Sequence, residues 1–338
     1  MKRIAYVLAL VGLAAAIALL ARTGVRTVFE ALAGAGWPLL LILPLHVIPL
    51  AFDSLGWRVL LAPRDPQHRA RWPVLLAAAS VREAVDRLLP LAGVGGQLVG
   101  IRIVTQRGLL ASAVAASVLT ELVLTLLAVV LFAALSLVLL AALSRGTASI
   151  NSVALGLLLA LPIPLGGLWL IQEGRLAAWL RRLAAPLFHL TRETPSWAAS
   201  IPAFEAELAA LARSRGRLVA AAALQLLGMM SGAAEVWLAL RLLGHPVSPI
   251  AAITMEGLVL FVRNLAFAVP AGLGVQEAGI VLIGASLGLS QELALGLALA
   301  KRMREMLFGV PALLGWHFWE SVSGLRSLTP DMPQPGRK

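Results

Sequence analysis

The stretch Leu109–Leu143, LLASAVAASVLTELVLTLLAVVLFAALSLVLLAAL, is 35 residues long, and its only formal charge is Glu121. A helix that crosses a bilayer needs about 20 apolar residues, or about 25 when it tilts. Either one very long helix leaves the bilayer at one end, or a hidden turn makes two spans. The stretch contains no glycine and no proline, the residues that most readily break a helix, and this favours the single long helix. Glu121 must be neutral, paired with a cation, or turned toward a polar cavity.

Working outward, the whole chain has this character. It has 338 residues, 59% hydrophobic and 13% charged, with mean hydropathy +0.88. Soluble domains carry roughly 25% charged residues. Apolar runs recur, and none shows the ~10-residue alternation of a membrane β-barrel. The fold class is therefore all-α, a polytopic integral membrane helical bundle. The net charge is +11, but the arginine-rich runs flank apolar spans. Positive-inside topology and contact with anionic lipid account for them better than nucleic acid does, so no nucleic-acid partner is expected. The chain has no cysteine, which excludes disulfides and thiolate metal sites.

The spans follow from hydropathy and punctuation. The first is about Ile4–Leu20, read as a retained helix because it is long for a signal-peptide core and lacks a small-residue cleavage site. The second is about Trp37–Phe52, followed by a loop with Arg58, Arg64, Arg69 and Arg71. Pro73 to about Leu89 is a helix containing Arg82, Glu83, Asp86 and Arg87. Further spans are Asn151–Ile171, Leu218–Leu243, Ile250 to about Val269 and Leu293–Trp319. A single transmembrane domain, residues 1–319, is expected, with halves at about 1–171 and 218–319. The joining segment 172–217 is basic and amphipathic. Its RLAAWLRRLAAPLF, from Arg175, suits a helix lying on the membrane surface. Residues 320–338 form a polar tail, expected to be disordered. The two basic segments belong on the cytoplasmic side, which puts the N-terminus inside a bacterial-type inner membrane.

Two segments interrupt the helices in the same way. VREAVDRLLPLAGVGGQLVG, from Val81, and VRNLAFAVPAGLGVQEAG, from Val262, each run Val-Arg, helix, Pro, glycines, Gln. The first contains Pro90, Gly93, Gly95, Gly96 and Gln97. The second contains Arg263, Asn264, Pro270, Gly272, Gly274, Gln276 and Glu277. Backbone freed at membrane depth must be satisfied by protein or water. Paired broken segments in two halves point to a transporter site. The apolar piece after the second break, Gly279 to Leu289, is 11 residues, about 16 Å as helix, against a hydrocarbon core of about 30 Å. A re-entrant half-helix is expected, its N-terminus suited to a phosphate or carboxylate. GVGGQLVG is not a dinucleotide fingerprint, because no strand precedes it.

The charges at membrane depth supply the other candidates. Arg82–Asp86 and Glu83–Arg87 are both i,i+4 pairs, so the cluster is able to neutralise itself. It is equally read as a hydrated helix end or as a polar lining beside the first break. For Glu121, a salt bridge to Arg82, Arg263 or Arg302 and a role in proton coupling are both open. Glu256 lies on roughly the same face as Arg263. Lys301 and Glu305 are spaced to pair, leaving Arg302 and Arg304 to face a partner. His46, between Pro44 and Pro49, reads as a hydrogen-bonded structural histidine. No metal site, cofactor site or catalytic constellation is visible, so an enzyme is not expected.

PAGLGVQEAG, with Pro270, Gly272, Gly274 and Glu277, resembles the P-x-G-x-G-x-x-E signature of the flippase-like family of the lysylphosphatidylglycerol synthase transmembrane region. GLSQELALGLALAKRMREML, with an arginine in the late helix, is similar to it too. VREAVDRLLPLAGVGGQLVG looks most like the hopanoid-biosynthesis-associated branch. Gln97 stands where many relatives carry an acidic residue. The resemblance implies lipid movement between leaflets, membrane lipids (anionic or hopanoid) as partners, and lipid-biosynthesis enzymes as a further class of partner. About 20 residues follow the last span, too few for the soluble aminoacyl-transfer domain of the synthases. On this reading Arg82, Arg87, Arg263 and Arg302 attract a headgroup, with Glu83, Glu121 and Glu305 beside them. The competing readings are a secondary transporter of a small soluble anion and a scaffold for lipid-modifying enzymes.

Overall fold

The computed structural model describes residues 33–89, 95–143, 154–155, 157–173, 182, 201–266, 269 and 272–328. Among these the regular structure is helical, with no strand. The helices are α1 (Ile42–Leu61, entered through a 3-10 turn at Trp37–Leu41), α2 (Trp72–Leu88), α3 (Gly95–Thr105) and α4 (Ala111–Leu143). They continue with α5 (Pro162–Gln172), α6 (Ile201–Arg213), α7 (Arg215–Ser231), α8 (Ala233–Leu242), α9 (Pro249–Leu265), α10 (Val275–Ser286) and α11 (Gln291–Leu328). The expected first span, most of the surface helix from Arg175, and Pro90, Gly93 and Pro270 lie outside the described residues.

Local chemistry accounts for several boundaries. Pro249 opens α9 where its missing N–H costs nothing, and Ser248 caps the helix by accepting from the Ala251 N–H at 3.1 Å. Leu109–Leu143 is resolved in favour of one helix: α4 runs unbroken for 33 residues. Two expectations need correction. The short second-half helix starts at Val275, not near Gly279, because Gly274 caps it at φ 77°. The last helix does not end at Trp319. It continues to Leu328, with Glu320 on its side bonded to Arg102 at 2.6 Å, so polarity alone misplaced that end.

Three helical stretches are long and apolar enough to cross a membrane: Trp37–Arg64, Ala111–Leu143 and Arg215–Leu242. Their outward faces carry Leu122, Leu131, Leu135, Val138, Val219 and Leu227, all exposed, as a lipid-facing surface would. The 38-residue α11 has the length of a span but carries Lys301, Arg302, Arg304 and Glu305. The short helices α3 and α10, 11 and 12 residues, reach only about 16–18 Å.

The two halves match element by element. A 28-residue stretch holds α1, and a second of 28 residues holds α7 and α8. Helices of 17 residues follow in both halves, α2 and α9. The short α3 and α10 come next, then the long α4 and α11. The packing exchanges with them, α2 lying on α11 and α9 on α4. The equivalent helices α1 and α7 touch each other and run antiparallel. Gly56 faces Ala221 and Gln225, while Pro49 and Phe52 face Gly228. A two-fold axis that turns a helix onto an antiparallel copy lies across the helices. The halves are therefore inverted repeats.

The expectation that the two basic segments share a side agrees with one contact, Arg64 Nε donating to Glu207 Oε2 at 2.6 Å between the α1–α2 loop and α6. Apolar cores fill each half. Trp57, Leu75, Ala78, Val85 and Val114 form one, and Val236, Met255, Leu258, Ile280 and Ala298 the other. Lipid tails are as apolar as these side chains, so small residues that admit close approach matter most. At Gly257 an added Cβ would lie 2.1 Å from Ser136 Oγ and 3.2 Å from the Phe132 carbonyl. Gly257→Val should therefore force α9 off α4 and destabilise by about 1–3 kcal/mol. Thermal unfolding in detergent, followed by tryptophan fluorescence, reads this directly; an unchanged midpoint would show the contact to be slack.

Candidate functional site

Most of the charged candidates meet in two polar clusters inside the bundle. The first centres on Arg82. Its Nη1 donates to Glu121 Oε2 at 2.9 Å, its Nη2 to Gln97 Oε1 at 2.7 Å, and its guanidinium lies over the Trp57 ring at 4.8 Å. Gln225 Nε2 donates to Asp53 Oδ1 at 2.8 Å and lies 3.4 Å from Glu121 Oε1. Of the three partners open to Glu121, the structure selects Arg82. The expected Arg82–Asp86 pair is not formed. Asp86 instead accepts from the Gly96 N–H at 2.9 Å, capping α3, while Arg82 turns toward α4. The Glu83–Arg87 pair is present at 3.5 Å.

The glycines around Arg82 act by being small. A Cβ on Gly96 would lie 2.4 Å from the Arg82 carbonyl, and one on Gly100 would lie 2.5 Å from Arg82 Cδ. α3 thus packs against α2 closely enough for the arginine to lie across it. Gly95 begins the helix.

The second cluster centres on α11. Arg302 Nε donates to Glu277 Oε1 at 2.7 Å, Nη1 to Glu305 Oε2 at 2.8 Å and Nη2 to the Gly272 carbonyl at 3.3 Å. Glu277 Oε2 accepts from the Gly274 N–H at 2.8 Å. The N-terminus of the half-helix, expected to await an outside anion, is thus already met by its own carboxylate. Glu305 Oε1 lies 3.7 Å from both Arg87 Nη1 and Arg304 Nη2. Arg304 pairs with Glu235 at 3.2 Å and touches His46. The expected Lys301–Glu305 pair is replaced by Lys301–Glu256, because α9 packs on that side of the cluster.

His46 is hydrogen-bonded, as expected, but its partners at the middle of this network were not foreseen. His46 stands with Nε2 2.7 Å from Glu83 Oε2 and Nδ1 2.8 Å from Glu235 Oε1, its ring edge on Phe308. Glu235 and Gln225 were not singled out. Their signal was present, as polar residues inside the 28-residue stretch Arg215–Leu242. The second break also holds groups without partners. Among the described residues Arg263 has no hydrogen bond or ion pair; its side chain passes over Gly272, whose φ is 60°. Gln276 is 2% exposed, and its Nε2 makes no hydrogen bond. Asn264 donates back to the Leu260 carbonyl at 2.8 Å.

Inverted helical repeats, two short helices beside breaks, and a buried charge network between the halves define a polytopic helical membrane protein. The chain belongs to the family described as the lysylphosphatidylglycerol synthase TM region, whose family model matches residues 4–314. No curated protein and no solved structure matches it.

Removing one partner of a buried ion pair leaves the other charge unpaired, at about 3–5 kcal/mol. Arg82→Leu should lower the unfolding midpoint sharply in detergent, and Arg82→Leu with Glu121→Leu should recover most of the loss. A double variant that loses the sum of the Arg82→Leu and Glu121→Leu losses would show that the two groups do not depend on each other.

Proposed function

We propose that this chain moves a polar-headed lipid between the leaflets of an inner membrane, without catalysing a covalent reaction. Membership of a family tied to lipid handling supports this. The observation that carries it is the second break. Arg263, a cation without a partner among the described residues, passes over Gly272, two residues before the cap of α10. The buried, unpaired amide of Gln276 follows in the first turn of that helix. A guanidinium and an amide N–H are the donors that a phosphate headgroup takes. Arg82, Arg302, Glu277 and Glu305 are held in internal bonds, so in this reading they shape the site while Arg263 contacts the headgroup. Hopanoid or related isoprenoid lipids are the finer candidates for substrate, on the wording of the first break. The N-terminus lies on the cytoplasmic side in this reading, as the shared face of the two basic segments supports.

Liposomes carrying fluorescent phosphatidylglycerol test the proposal by dithionite quenching of the outer leaflet. Wild-type protein should exchange the lipid. Arg263→Ala should slow exchange about tenfold or more, the effect of losing one charge-assisted contact of 1.5–3 kcal/mol, with the unfolding midpoint unchanged. Wild-type liposomes that exchange no lipid but accumulate inorganic phosphate would make the protein a soluble-anion transporter.

A further inference from the structure

His46 is bonded to a carboxylate from each half of the protein, Glu83 of α2 and Glu235 of α8. An ionised carboxylate only accepts, and a neutral imidazole has one N–H. With both bonds formed the cluster carries one further proton, on the ring or on one of the two carboxyl groups; without it Nδ1 accepts instead from the Arg304 guanidinium, which also touches it. The charge count reaches the same number independently. Among the described residues, the ion pairs of this cluster link the carboxylates Glu83, Glu235, Glu277 and Glu305 with the guanidiniums Arg87, Arg302 and Arg304. Four negative charges face three permanent positive ones. One proton balances the cluster, and its loss leaves a net negative charge buried among helices, a costly state.

The charged groups that face His46 come from three other helices. From α2, Glu83 and Arg87 face the cluster; from α8, Glu235; from α11, Arg304 and Glu305. The next acid of α1, Asp53, faces Gln225 instead, the Glu121 of α4 faces Arg82, and the Glu256 of α9 faces Lys301. His46 and Glu235 are closed off, with 8% and 5% of their side chains exposed, while Glu83 keeps 18%. Glu83 is thus the most exposed member of the three.

We propose that Glu83, His46 and Glu235 form a proton-binding site that couples lipid movement to a proton gradient. This rests on the translocation reading above. When the proton passes to water past Glu83, the uncompensated charge pulls on Arg304. Arg304 is linked through Glu305 to Arg302, the residue that holds Glu277 and the Gly272 carbonyl at the second break. The proton state is in this way transmitted to the backbone beside Arg263.

The test uses full-length protein in phosphatidylcholine liposomes with fluorescent phosphatidylglycerol, under an imposed proton gradient of either direction. Wild-type exchange should differ at least about fivefold between the two directions, the lower end of ordinary coupling between sites. His46→Gln alone leaves the cluster one charge short and should unfold at lower temperature. His46→Gln with Glu83→Gln leaves three carboxylates against three guanidiniums, so its midpoint should recover and its exchange should ignore the gradient. Gradient-blind exchange by wild type would overturn the coupling and leave the lipid reading standing. Wild type that moves no lipid, but takes up phosphate through the gradient only while His46 and Glu83 are intact, would overturn the lipid reading and support the proton site. A double variant that still responds to the gradient, or that is folded yet moves nothing, would overturn the assignment, as would one that unfolds no later than His46→Gln. No transport of lipid or phosphate by wild type would overturn both.

Discussion

A guanidinium buried among apolar helices needs an acid beside it, and Arg304 sits under that constraint more completely than any other guanidinium in the α11 cluster. It is 5% exposed and lies against His46, Glu235 and Glu305. Those partners come from α1, α8 and α11, and Glu83 of α2 joins through His46. Meeting the constraint therefore brings helices of both halves to one point. The short helices α3 and α10 each use a carboxylate of their own half to satisfy an N–H at their start.

The inverted repeat explains why the two breaks look alike in sequence and behave differently. Each half bridges its pre-break helix to its long helix with one ion pair, buried in the first half and part-buried in the second. In the first half the cation is on the pre-break helix, Arg82, and the acid is Glu121. In the second the acid is on the pre-break helix, Glu256, and the cation is Lys301. Glu121 and Lys301 each stand at the eleventh residue of their helices. The architecture is repeated and the charges are exchanged. Glycine follows the same division. At the first break Gly96 and Gly100 are needed for their lack of a Cβ, and at the second Gly272 and Gly274 for positive φ. Among the described residues, Arg82 before the first break is paired, while Arg263 before the second is open.

The fold class, the long α4, the broken helices and the pairing of the halves were legible because each rests on composition, periodicity or Pro and Gly placement. Local pairing was less so. Arg82–Asp86 and Lys301–Glu305 are well spaced for a helix surface, but in a bundle a partner on a neighbouring helix is nearer and drier than one a turn away. His46 read correctly as a bonded histidine, but its partners were unreadable for the same reason. Its partners lie 37 and 189 residues along the chain, and nothing local marks them. The end of α11 was missed because polarity predicts where a helix leaves the membrane, not where it stops being a helix.

Buried ion pairs seldom stabilise a protein more than well-packed apolar side chains of the same volume would. A core that holds four acids and three arginines is therefore poorly explained by stability alone. Partner exchange explains it better. Glu305 faces Arg87, Arg302 and Arg304 at once, so one acid has three cations among which its charge can be redistributed. A switch between two arrangements needs such near-equal alternatives, because a cluster with a single best pairing would hold one state. In a network this close to balance, adding or removing one positive charge changes which pairing is favoured. The position of His46 between acids from opposite halves places that charge where both halves feel it.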